Sequence, residues 1–191
     1  QILSNSDLSF SNLGSKVNFD KLNFNTLKVS DIINFKQGII TGNNKKYITK
    51  EPTNITKRVL TGVDFNKYTL NWHGDYVIYN ENELHRPRTP DIFEVSEKIL
   101  LRQTGSYPIC MIDKESYYTL DTVHNGRIIN DNFDIKYLLV LLNSQLLRFV
   151  YENSVNETGK VFAQVKIIYV DPLPIKNIPL AEQQPFIELA D

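Results

Sequence analysis

The residues of this chain whose types and spacing could do chemistry fall in a few places, and each can be held against what its chemistry demands. Gly38-Ile39-Ile40-Thr41-Gly42-Asn43-Asn44-Lys45 joins two glycines to hydroxyl, amide and ammonium groups. A phosphate loop needs glycine, four residues, then Gly-Lys-Ser/Thr, so that backbone N–H groups surround the phosphate and the lysine reaches it. Here three residues separate the glycines and Asn43-Asn44 follow the second, so the spacing excludes that cradle. His73, His85 and His124 are scattered, with no His-x3-His or cysteine partner, which argues against a metal site. No Gly-x-Ser-x-Gly nucleophile elbow occurs. A metal-dependent nuclease needs carboxylates converging on a metal beside a lysine, and Asp91 with Asp134-Ile135-Lys136 matches those letters. Asp134, however, opens a strongly periodic apolar segment, where helix capping accounts for a carboxylate.

Asp171-Pro172-Leu173-Pro174 resembles the start of the Asp/Asn-Pro-Pro-aromatic motif of amino-methyltransferases. It lacks the adjacent second proline and the aromatic that stacks on a flipped base, and no glycine-rich cofactor loop precedes it. Methyl transfer is therefore not expected of these residues. What remains is a surface-binding reading, which turns attention to the elements that hold polar groups in place.

Composition sets the frame. The 191 residues are 41% hydrophobic and 23% charged, a globular balance long enough for one large domain. The longest aliphatic run, Leu138 to Leu142, is far shorter than the roughly 20 residues of a membrane span, and no signal-peptide pattern is present. A single cysteine, Cys110, excludes an intrachain disulfide and reads as a small buried apolar residue. The sequons at Asn54 and Asn156 are read as chance, and a cytoplasmic, prokaryotic setting is expected. Net charge is −1, but it is uneven: residues 1–68 carry ten Lys/Arg against five Asp/Glu, and residues 69–133 carry six against ten. A positive first third fits either a nucleic-acid face or ordinary fluctuation.

Along the chain, residues 1–26 lack periodicity and read as a connector from something upstream. Residues 27–133 read as a β-rich body. A helical turn capped by Ser30 precedes the glycine stretch, and Gly42-Asn43-Asn44 is expected as a tight turn joining strands that end at Ile39-Ile40 and Tyr47-Ile48. Strands follow at 57–65, 76–79, 98–102, 108–112, 117–120 and 127–129. Glu81 to Pro90 is a loop with two prolines and two arginines. In residues 134–191, Ile135, Leu138, Leu139, Leu142, Leu146, Phe149 and Val150 fall at helical spacing and predict one helix of about four to five turns capped by Asp134. Asn143-Ser144 interrupt the leucines, so their polar groups are expected to bond to a neighbouring element. Val161–Val165 and Ile167–Val170 read as β-like, and residues 182–190 as the start of a last helix. The class is α+β, and the chain reads as a piece trimmed at both ends.

Several stretches in order resemble one family, the TaqI-like C-terminal specificity domain. They are Gly38 to Lys45, Leu60-Thr61-Gly62-Val63-Asp64-Phe65-Asn66-Lys67-Tyr68, Lys98 to Gln103, Leu141-Leu142-Asn143-Ser144-Gln145-Leu146, and Ile178-Pro179-Leu180 with Glu182-Gln183-Gln184. Phe65 departs from the isoleucine usual in the second. The resemblance implies a target-recognition domain with a double-β-helix-like body followed by C-terminal helices. It implies a partner, double-stranded DNA, and a restriction–modification parent. Adenine-N6 methylation and cleavage would be carried out elsewhere, in the same chain or separate subunits, with S-adenosylmethionine and magnesium needed there and no cofactor here. Half of a type I specificity subunit is the alternative, and a protein-interaction module without DNA binding a further one. On this reading Arg meets guanine, Asn or Gln meets adenine, and Lys and Arg neutralise phosphates. The residues expected to face DNA are Thr41, Asn43, Asn44, Lys45 and Lys46 on the turn, then Arg58 and Lys67. Arg102, Gln103 and Thr104 before Gly105, the expected turn at His124, Asn125 and Arg127, and Lys160 with Gln164 complete the set.

Overall fold

The computed structural model describes residues 25–155 and 164–190. The connector expected over 1–26 lies outside the described residues up to position 24. The strands are β1 (Thr26–Lys28), β2 (Ile33–Gln37), β3 (Ile48–Thr49), β4 (Thr56–Leu60), β5 (Phe65–Asn66), β6 (Thr69–Leu70), β7 (Tyr76–Ile78), β8 (Lys98–Arg102), β9 (Cys110–Asp113), β10 (Tyr118–Thr119), β11 (Val123–Ile128) and β12 (Pro174–Lys176). The helices are α1 (Asn44–Tyr47), α2 (Ile135–Leu142), α3 (Gln145–Ser154), α4 (Ile167–Val170) and α5 (Leu180–Ile187). This is the α+β class expected, richer in strand than helix, with the larger helices toward the C-terminus.

Two four-stranded sheets carry the fold, in orders β2-β11-β8-β9 and β10-β4-β7-β3. The first is antiparallel, and the second contains one parallel pair, β10 with β4. Strand β8 shows why they stack. Alternate residues of a strand face opposite ways; Ile99 and Leu101 enter the core beneath the helices, while Leu100 enters a second core with Leu60, Phe65 and Met111. Strand β9 repeats the alternation with Cys110 and Met111. Each fully buried aliphatic side chain contributes about 1.5–3 kcal/mol, so a strand buried on both faces anchors both layers. A third core, around Val59, Val77, Phe93 and Tyr118, closes the second sheet. Pairing of β1 with β12 brings residues 26–28 against 174–176.

The chain crosses between the sheets at Gly38. Its N–H donates to Val123 O (2.9 Å), and the next residue, Ile39, donates to Thr119 O (2.8 Å) and bridges Leu120 in parallel. A Cβ on Gly38 would lie 2.3 Å from Leu120 O and 2.5 Å from Thr119 O, inside two backbone carbonyls.

Four local expectations are corrected. Ile39-Ile40 and Tyr47-Ile48 do not form a hairpin. Ile40 pairs with Arg86, Ile48 pairs with Val77, and Asn43 caps α1 through Lys46 N. Gly42 does take a left-handed φ of 80°, so its turn is real although its neighbours go elsewhere. The predicted single helix is two. Asn143 ends α2, its Oδ1 accepts from Cys110 N (2.9 Å) and its Nδ2 donates to Cys110 O (3.0 Å), while Ser144 Oγ caps α3 through Leu147 N. The interruption thus bonds to a neighbouring strand as expected, but tightly enough to break the helix. Ile167–Val170 is a helical turn rather than a strand, and Val161–Ala163 lie outside the described residues. Near the start, Lys28 rather than Ser30 stands at the cap of the 3₁₀ turn Val29–Asp31, with Asp31 accepting from Lys28 N.

Candidate nucleic-acid interface

One rim gathers donors. Register places Gln37 opposite His124 and Val123 opposite Arg102, so the end of β2, the start of β11 and the end of β8 finish together. The loop after Asn80 folds onto this end, because Ile40 and Arg86 exchange both backbone hydrogen bonds (3.0 and 2.8 Å) and His85 N donates to Thr41 O (3.3 Å). These contacts deliver Arg86, Arg88, Arg102, Gln37, Gln103 and Thr104 to one edge.

The charges there are not balanced. Arg88 Nε approaches Gly38 O at 3.5 Å, and burial, then the neighbouring Arg86 guanidinium, pull it below its ordinary pKa. Arg102 Nε donates to Thr104 O at 2.9 Å. Among the described residues none of these three arginines forms an ion pair, whereas Lys46, Lys50, Lys57, Arg58, Lys98 and Arg148 each face a carboxylate. His124, behind the rim, is held neutral: burial, then Arg88, push its pKa down to about 4. Arg88 also holds a left-handed φ of 63°, on the order of 1 kcal/mol of backbone strain for a non-glycine residue, while its carbonyl accepts from Tyr79 Oη. Adjacent unpaired cations and backbone strain both cost stability, and an anion from outside offsets the first.

The residues singled out from sequence are spread over several surroundings. Asn43, Asn44, Lys45 and Lys46 are exposed around α1, and Thr41 is buried with its hydroxyl on Asn44 Oδ1. Asn43 is occupied as a cap, and Lys46 by Glu83 and the Tyr47 ring. Arg58 is held by Glu115 (2.8 Å) and stacked over Tyr117. Lys67 Nζ donates to Asn143 O (2.7 Å). His124 and Asn125 are not a turn: they lie buried inside β11, with Asn125 Nδ2 on Thr119 Oγ1 (2.7 Å), and only Arg127 of that group is exposed. Gln164 bridges Thr104, which brings it to the rim, and Lys160 lies outside the described residues. Arg86, Arg88 and Gln37 were not singled out. The signal available was two arginines in a proline-rich loop. A groove of about 550 Å³ beside β4 offers a poorer anion site, because its cations Lys57 and Arg58 are matched by Glu94 and Glu115.

Asp134 and the motif residues turn out to be scaffold. Asp134 Oδ1 accepts from Lys136 N (2.7 Å), a capping role. Asp64 accepts from Thr61 N and Oγ1 through Oδ2, and its Oδ1 meets His73 Nδ1 at 2.6 Å, closing the turn after β4. Buried Gln183 ties α5 to Asp134 N, Asn132 O and Ile178 O. Asn143→Ala is expected to strip both partners from the buried Cys110 peptide groups and lower unfolding stability by about 2–4 kcal/mol in urea titration.

The arrangement is that of an α+β scaffold presenting a donor-rich edge. The family model "TaqI-like C-terminal specificity domain" matches residues 57–175, more than half the chain, and the chain belongs to that family. A search of curated proteins returns no match. Among solved structures, the fold is similar to the type I restriction–modification system S subunit from M. genitalium, at 16% identity and TM-score 0.54, covering 87% of this chain and 38% of that one. It is similar to the HsdS subunit from Thermoanaerobacter tengcongensis, at 12% identity and TM-score 0.56, covering 87% and 36%. A chain from a structure described as the structural basis of complex assembly and conformational transition of the type I R-M system gives 10%, 0.51, 87% and 37%. These likenesses are of fold, and this chain spans well under half the length of each. Among the described residues, no helix is long and apolar enough to cross a membrane.

Proposed function

We propose that the chain recognises a double-stranded DNA sequence for a restriction–modification system, in the cytoplasm of a prokaryote. The observation that carries this is the rim where Arg86, Arg88 and Arg102 stand, among the described residues, without carboxylate partners beside Gln37 and Gln103. Family membership supports it, and the S subunits named above share the fold. Arg88 and Arg102, with exposed Lys45, would neutralise phosphates, and Gln164 and Thr104 flank them. Adenine-N6 methylation with S-adenosylmethionine, and magnesium-dependent cleavage, would belong to other domains or subunits. The same rim would serve half of a type I specificity subunit, whose fold the neighbours share.

Measured by fluorescence anisotropy on the 191-residue chain, duplex binding is expected to weaken with salt. Arg88→Gln with Arg102→Gln should weaken it at least roughly tenfold and lower the slope of log K against log salt by about 2. Binding of equal strength and slope in the double variant would remove the rim from the interface.

A further inference from the structure

We propose that Gln37, Gln103 and Arg86 form the base-reading unit of this rim and that the base they select is guanine; this rests on the DNA-recognition reading above. The orientation of each group follows from its neighbours. Gln37 Nε2 faces two oxygens, Asp121 O at 3.0 Å and Gln103 Oε1 at 3.1 Å, while its own Oε1 faces Arg86 Nη1 at 3.4 Å. Turning the Gln37 amide over would set its oxygen against the Asp121 carbonyl and its NH2 against a guanidinium. The Asp121 carbonyl and the Arg86 cation therefore fix Gln37 in one orientation. Gln37 in turn fixes Gln103, which must offer its oxygen inward and so turns its NH2 outward.

The resulting edge presents donors. Gln103 Nε2 has no protein acceptor among the described residues, and Arg86 has committed one nitrogen to a long contact. The Arg86 backbone is locked by its reciprocal pair with Ile40, so the guanidinium is presented from a fixed base. In the major groove guanine shows two acceptors, N7 and O6, whereas adenine pairs its acceptor with an N6 donor and cytosine shows a donor. A donor array held in one orientation favours guanine and meets adenine and cytosine with N–H against N–H. Gln37 is a positioning residue: it touches no base and sets what Gln103 and Arg86 can offer.

The test is selection of bound duplexes from a random pool by the full chain and by Gln37→Leu, Arg86→Gln and Arg86→Lys, each checked by thermal unfolding. The wild type is expected to enrich a sequence containing a guanine preferred about 10- to 100-fold over adenine at that position. Gln37→Leu should flatten the preference at that position alone, and Arg86→Gln should move it toward adenine. Arg86→Lys keeps the charge and loses the planar fork, so it should flatten the preference even if the glutamine variant fails to fold. An enriched sequence with no fixed guanine, or one whose guanine survives Gln37→Leu and Arg86→Lys, overturns the inference and leaves DNA recognition standing. A wild-type chain that enriches nothing overturns DNA recognition itself, and this inference with it.

Discussion

Asp113→Ala is expected to cost about 3–5 kcal/mol of unfolding stability, because it strands a buried ammonium. Lys98 and Asp113 pair with side chains only 1% exposed, and Lys98 Nζ also donates to Phe93 O at 2.9 Å. The carboxylate has further duties, accepting from Glu115 N (2.8 Å) and Tyr117 N (2.9 Å) as the chain leaves β9. The two halves of the pair are therefore unequal. Lys98→Met leaves a carboxylate that still holds two backbone N–H donors, so it is expected to lose less than Asp113→Ala. Burial draws the Lys98 pKa down, and Asp113 opposes that pull. With Asp113 gone the folded-state value falls further below the unfolded one. The unfolded chain then holds the proton over the window between the two values, and stability rises with pH there. The deficit of Asp113→Ala should accordingly shrink as pH is raised through that window, as read by urea unfolding at several pH values. Equal losses for the two single variants would contradict this inequality between the two halves of the pair.

Gly38→Ala is expected to lose about 3 kcal/mol or more, a fall in Tm of roughly 6–12 °C. The added methyl would meet Leu120 O and Thr119 O, which belong to the crossing that joins the two sheets. Backbone oxygens held by hydrogen bonds cannot rotate away as a side-chain tip can, so relief requires the sheets to part. Gly42→Ala is a useful contrast. There the obstacle is a left-handed φ of 80°, with only His85 Cβ near at 3.1 Å, and the expected loss is about 1 kcal/mol. Calorimetry on both variants separates a packing role from a conformational one.

The layered body was legible wherever apolar residues had nothing to compete with. Lys98–Arg102 and Tyr76–Ile78 read as strands from their apolar runs, and strands they are. The periodicity of Ile135 to Val150 called for a single helix, since it registers which residues face the core and cannot register Asn143 preferring the Cys110 peptide groups to helix continuation. Pairing partners were hidden for the same reason. Nothing local tells Ile40 to meet Arg86, 46 residues away, rather than the nearby Ile48. That unseen pairing is also what builds the rim. Arg86 and Arg88 sit in an aperiodic loop, and their lack of acidic partners among the described residues is a fact of tertiary structure. The motifs that carry the family likeness, at Asp64, Asn143-Ser144 and Gln183, proved to be joints of the scaffold, so likeness pointed to the frame more clearly than to its contact surface.

Sequence-selective DNA binding through that rim is the central claim, and competitive binding tests it most directly. The duplex enriched from a random pool is labelled, bound to the 191-residue chain at near-physiological salt, and competed with unrelated duplex. The account predicts at least roughly a thousandfold preference for the enriched sequence, reduced about 10- to 100-fold in Arg86→Gln with Arg88→Gln through loss of the Arg86 base contact, while thermal unfolding remains cooperative. Equal competition by unrelated duplex, or an undiminished preference in the folded double variant, would contradict it.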